Sequence, residues 1–133
     1  VTKANRLIAE PFEGIPAKHV LMPAGVIDGY FSPRAEAALA VNLKVPLVGE
    51  EVEPFLPASL RLSGQRATTY PVQNNIKGKT GAIIQYASEN TKGHYVLFNQ
   101  DGARFQYTCF LASVGTPGGA KISAPAALDA PCP

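Results

Sequence analysis

A chain of 133 residues, 46% of them hydrophobic, is long enough for one domain with a real core and too apolar for a disordered tail. Twelve Lys and Arg against ten Asp and Glu leave a net charge of +2, and the basic residues are scattered without a basic block or an interleaved aromatic stripe, which argues against nucleic acid as a partner. No apolar run approaches the roughly 18 residues of a transmembrane helix, and the opening V-T-K-A-N-R-L-I-A-E lacks the apolar centre of a signal peptide, so the expectation is either a cytosolic protein or one whose leader is missing from this chain.

Residues 1–17 form a lead-in, with a short helix expected around Thr2 to Ala9, ended by the turn formers of E-P-F-E-G-I-P. A buried strand follows at Lys18 to Met22, its continuous apolarity suiting a parallel strand covered on both faces. Pro23, Gly25 and Gly29 break the pattern, and then Ser32 as N-cap with Pro33 at the first helical position opens an Ala-rich helix to about Leu43. Residues 45–80 change character, crowded with prolines and acids, and read as an inserted excursion with one or two short strands around Gly64. A second buried strand is expected at Gly81 to Tyr86, then the polar turn S-E-N-T-K-G and His94. Asp101 caps a helix over Ala103 to Ser113, in which Phe105, Cys109 and either Phe110 or Leu111 mark the covered face. A Gly/Pro/Ala tail, 115–133, carries at most one extended piece at Lys121 to Ser123.

Two cysteines permit one bridge. Cys109 joined to Cys132 would pin the loose tail to the preceding helix; the alternative is a buried free thiol at Cys109 and a tail cysteine of no consequence. A cysteine between two prolines near the end of the chain favours the bridge, and with it a periplasmic, outer-membrane-anchored or secreted protein. With no C-x-x-C pair and no close histidine pair, neither a metal site nor a cofactor is expected.

Alternating strands and helices predict an α/β fold with a parallel sheet, in which functional groups collect beyond the carboxyl ends of the strands. Asp28, in G-V-I-D-G-Y-F-S-P, and His94, in G-H-Y-V-L-F, both fall there. Adjacent parallel strands would bring their loops within side-chain reach, where a carboxylate fixes the imidazole tautomer and leaves Nε2 as a base. Each residue has a plainer reading. Asp28 in a Gly-flanked turn serves local hydrogen bonding, and His94 is then a surface turn residue; His19 is read as a strand-start residue without a catalytic part. Tyr30, Phe31 and Tyr95 flank the two candidates, either as walls of a pocket or as packing residues. No G-x-S-x-G exists, and neither Ser63 in L-S-G-Q nor Ser113 in A-S-V-G has the setting of a nucleophile elbow.

G-V-I-D-G-Y-F-S-P with its Ala-rich helix, and later G-K-T-G-A-I-I-Q-Y and G-H-Y-V-L-F-N-Q-D-G-A-R-F-Q-Y, resemble the C-terminal part of a bacterial α/β-hydrolase of the exported, lipoprotein-like esterase/lipase type. The likeness runs from about Lys18 to Ser113 and includes the A-P-C-P ending. It implies that residues 18–114 are the last strands and helices of an α/β-hydrolase sheet, with Asp28 the acid and His94 the general base of a triad. In that family the serine precedes the acid and the histidine, so it would lie in a separate N-terminal polypeptide, this chain's expected partner, with a small-molecule ester as substrate. The rival is a non-catalytic binding or structural module retaining part of such a sheet. A stand-alone enzyme ranks last, because two strands and two helices are not expected to bury both faces of a parallel sheet.

Overall fold

The computed structural model describes residues 3–88 and 92–133; the expected helix start at Thr2 and the Glu89 to Thr91 part of the polar turn lie outside the described residues. Ser32 and Pro33 open α1 (Pro33–Leu43) as their order predicts: the Ser32 hydroxyl accepts the Ala35 N–H at 3.3 Å, and Pro33 occupies the first turn, where a missing N–H costs nothing. Lys44, at φ 59°, ends the helix in the left-handed region. Among its described residues the lead-in holds a 3₁₀ turn, Ala4–Leu7.

The chain mixes helices and strands around a small parallel sheet of two strands, loosely an α/β arrangement. Here β1 (Val20–Gly25) runs parallel to β3 (Gly81–Tyr86), in register from Val20 opposite Gly81 to Gly25 opposite Tyr86. β1 begins later than expected and runs through Pro23. Backbone direction explains this: the amides of Val20 and Val26 donate toward the β3 side, to Thr80 and Tyr86, so the alternate residues Leu21 and Pro23 face away from β3, where the N–H that proline lacks is not needed. Between the two strands in sequence comes β2 (Val72–Gln73), which pairs antiparallel with β4 (Lys121–Ile122) of the tail in a separate sheet.

Residues 45–80 are no outlying insertion. Val45, Leu47 and Val48 are fully buried, and Leu47 bridges Ile83 in parallel, placing this segment along the second edge of β3; Val48 in turn bridges Thr68. Where strands were expected near Gly64, the chain forms α2 (Phe55–Leu62). Its prolines disguise it: Pro54 sits at the cap and Pro57 in the first turn, where amides are unpaired in any helix. Glu53 takes over the capping, accepting the N–H groups of Phe55 (2.6 Å) and Leu56 (3.2 Å). Buried Gln85 of β3 holds this segment by accepting the Val52 and Glu53 amides and donating to the Glu53 carbonyl.

β3 is buried along its whole length and its side chains alternate between two cores. Ile83 joins Ile8, Ala37, Ala40, Leu43, Leu56 and Leu60 under α1 and α2. Ala82, Ile84 and Tyr86 face the other side, against Val96 of α3 (Val96–Asn99), Ala103 and Phe110 of α4 (Asp101–Ser113), and Ile122. The chain's own helices therefore cover both faces of β3, contrary to the expectation that it has too few elements to do so. Residues 45–80 supply the difference, with Leu56 and Leu60 in one core and Val48 and Val72 in the other. On α4, Gln100 is the cap and Asp101 the first helical residue, and Phe110, not Leu111, is the buried one of that pair.

Cys109 and Cys132 are bridged, with their Cα atoms 5.3 Å apart, which anchors the tail on α4. Closing a segment of this length in the unfolded chain is worth about 3 kcal/mol. Cys132→Ser is accordingly expected to lower the stability measured by urea unfolding by about that amount; an unchanged midpoint would remove the bridge from the fold's support.

His19 sits just before β1, as expected, and its Nδ1 accepts the Thr80 N–H at 3.0 Å, so the ring is neutral with its proton on Nε2. Burial, helped by the nearby Lys79 charge, lowers its pKa below the ordinary 6.5. The unfolded chain then binds a proton more readily than the folded one, so the contribution is complete above pH 6.5 and fades as pH falls through the lowered value. His19→Asn keeps an acceptor for Thr80 without titrating. Between pH 7.5 and 5 the wild type is expected to lose more stability than this variant, and equal losses would contradict the assignment.

Candidate active site

The two loops that follow β1 and β3 meet because neither has a side chain at the crossing. A Cβ on Gly25 would fall inside the Gly93 carbonyl, and one on Gly93 would sit 2.5 Å from the Gly25 oxygen, 2.6 Å from the Val26 oxygen and 2.8 Å from the Asp28 nitrogen. The Gly93 amide donates to the Ile27 carbonyl at 3.3 Å, and Asp28 bridges Lys92 in antiparallel fashion. Ile27 turns the chain with φ 62°, a region that β-branched residues rarely occupy, and so swings Asp28 back over the end of β1.

Asp28 uses both carboxylate oxygens. Oδ1 accepts the amides of Tyr30 (2.6 Å) and Phe31 (3.0 Å), closing the turn before α1, while Oδ2 lies 3.1 Å from Nδ1 of His94. The plain and the catalytic readings of Asp28 thus describe two atoms of one side chain. A carboxylate only accepts, so Nδ1 carries the proton and Nε2 is left as the basic nitrogen. Burial would by itself raise the Asp28 pKa, but the two amides and His94 outweigh it and hold the group below the usual carboxylate range. The Asp28 side chain is 6% exposed and that of His94 35%, which leaves the imidazole open to the surface and its partner shielded.

His94 stands on a single 3₁₀ turn, Gly93–Tyr95, that leads into α3. Its ring is held among aromatics: Phe31 stacks at 5.8 Å, Tyr30 lies 4.5 Å away and Tyr95 meets it edge-on at 5.1 Å. Both tyrosines remain exposed, their hydroxyls 3.4 Å apart. Beside the pair opens a groove of about 450 Å³, mostly apolar, between Met22 and Pro23 of β1 and Ala35 and Leu39 of α1, with Leu97 at one end. Asp28, His94 and Glu36 are its polar members. Nothing in the sequence marks Glu36, since an acid in the first turn of a helix is ordinary.

Among the described residues no serine hydroxyl is hydrogen-bonded to His94. Ser63 ends α2 and bonds back to the Ser59 carbonyl, and Ser113 ties α4 to β4 through the Lys121 amide. No group of three or more His, Cys, Asp or Glu among the described residues is placed to hold a metal ion, and none of their helices is long and apolar enough to cross a membrane. Comparison with protein-family models, curated proteins and solved structures returns no match.

Proposed function

We propose that this chain is the C-terminal part of an α/β-hydrolase-type serine hydrolase acting on carboxylic esters, with Asp28 as the acid and His94 as the general base. The observation that carries the reading is the shielded Asp28 carboxylate on Nδ1 of His94, in loops beyond the carboxyl ends of two adjacent parallel strands and at the rim of an apolar groove. The serine comes from a separate N-terminal polypeptide. Nε2 of His94 takes the proton of the serine hydroxyl as its oxygen attacks the ester carbonyl carbon, and Asp28 stabilises the imidazolium formed. That proton then passes to the leaving alcohol as the ester C–O bond breaks. A water molecule, deprotonated by the same nitrogen, releases the acid from the acyl-serine.

The free edge of β1 supports a second polypeptide. By the alternation of the strand the backbone groups of Leu21 point away from β3, as they do in a strand whose sheet continues, whereas the Gly25 end of that edge is covered by Gly93. The Cys109–Cys132 bridge fits an exported protein, periplasmic, secreted or anchored at the outer membrane. The rival reading, a binding or structural module, draws on the cover that this chain gives both faces of β3 and on Pro23, a residue that blunts edges.

Native and denaturing mass measurements on the purified protein separate the two. The hydrolase reading expects a tightly held second polypeptide that is labelled by a fluorophosphonate, a serine-directed probe. A stable 14 kDa monomer that the probe leaves unlabelled would favour the module.

A further inference from the structure

One polar group in the groove takes no part in the mechanism above. Glu36, in the first turn of α1, lines the groove together with Asp28 and His94, is half-buried, and has no hydrogen-bond donor or cation holding its carboxyl among the described residues. Its surroundings disfavour charge. Burial acts first, the Asp28 and Glu53 carboxylates add to it, and the acid is pushed up to about 7. Asp28 is fixed in place by the Tyr30 and Phe31 amides, and Glu53 by those of Phe55 and Leu56. Arg34, two residues earlier on α1, lies instead over the Phe55 ring, 6.0 Å from its centre. From the remaining elements, His94, the Tyr30 and Tyr95 phenols and Lys92, whose backbone bridges that of Asp28, stand beside the site.

We propose that Glu36 is the specificity-determining residue of this groove: as a neutral acid its O–H donates to an uncharged acceptor oxygen of the ligand, and as a carboxylate it turns acids away. A protonated carboxyl is a donor and an ionised one is an acceptor only. With Glu36 protonated the groove takes a neutral ester; with Glu36 ionised it turns carboxylates away. The identity of the ligand rests on the hydrolase reading, whereas the charge rule rests on Glu36 and its surroundings.

Amide chemical-shift titrations of the full chain test it, with ethyl butyrate and butyrate as probes, reading Ala35, Leu39 and Leu97 at pH 5.5 and 8.5. In the wild type, ethyl butyrate is expected to bind about three- to tenfold more weakly at the higher pH, the range of one hydrogen bond. Butyrate is expected to shift nothing at pH 8.5. In Glu36→Gln, which cannot ionise, ester binding is expected to lose its pH dependence, and butyrate at pH 8.5, opposed then only by the Asp28 carboxylate, to give a shift that the wild type does not show. The same pH dependence in wild type and Glu36→Gln would show that Glu36 is not its source and overturn the proposal, as would the absence of any ethyl butyrate shift at either pH. If the Glu36-dependent pattern holds while Asp28→Asn keeps full esterase turnover in the assembled protein, the hydrolase reading falls and the charge rule stands.

Discussion

On the proposed hydrolase reading, Asp28→Asn is expected to lower esterase turnover of the assembled protein about 10⁴-fold while leaving it folded. The reason is the division of labour between the two oxygens. Oδ1 receives two backbone amides, from Tyr30 and Phe31, so the carbonyl of an asparagine has to stay there. Its NH₂ group then faces Nδ1 of His94, where Oδ2 stood. A donor on that side drives the imidazole proton to Nε2, the nitrogen that has to be free. The turn before α1 survives and the base is lost. His94→Ala removes the base outright and is expected to cost as much. Steady-state hydrolysis of p-nitrophenyl butyrate, with thermal unfolding as the control for folding, measures both. Unchanged turnover in either variant would exclude the acid and base roles.

Gly93→Ala is expected to separate the same two residues without touching either. The new methyl would meet the Gly25 and Val26 carbonyls and the Asp28 amide, all backbone atoms that cannot rotate aside. The loops have to part, at a cost of about 2 kcal/mol in stability. The contact between Asp28 and His94 opens with them, seen as loss of the downfield Nδ1 proton resonance. Gly115→Ala is the control, since nothing lies within 4 Å of a Cβ there. A Gly93→Ala protein with wild-type stability and an intact Nδ1 signal would show that the close approach is dispensable.

The elements legible in the sequence are those whose signals are local. Ser32 and Pro33 mark the start of α1 because a cap and a pre-set φ act within one turn. G-A-I-I-Q-Y reads as a buried strand because six residues in a row avoid exposure, and all six are buried. The segment 45–80 was not legible for the same reason. The buried stretch Val45 to Val48 is too short for periodicity, and α2 carries a proline at its cap and another in its first turn, both tolerated only because helix starts leave amides unpaired. Pro23 misled in a similar way. Whether proline breaks a strand depends on which edge its nitrogen faces, and that is a property of the pairing.

For the site, the sequence by itself determined the two residue types, their positions after two strands, of which β3 is buried throughout and β1 only at Ala24 and Gly25, and the even pair of cysteines. Only the tertiary structure decided that Asp28 and His94 touch, because their meeting depends on the parallel pairing of β1 with β3 and on two glycines, far apart in sequence, whose missing side chains let the loops cross. Glu36 likewise acquires its character from what packs around it: an ordinary helix-start acid becomes a group that titrates near neutrality through burial and through Asp28 and Glu53, which reach it from other segments of the chain.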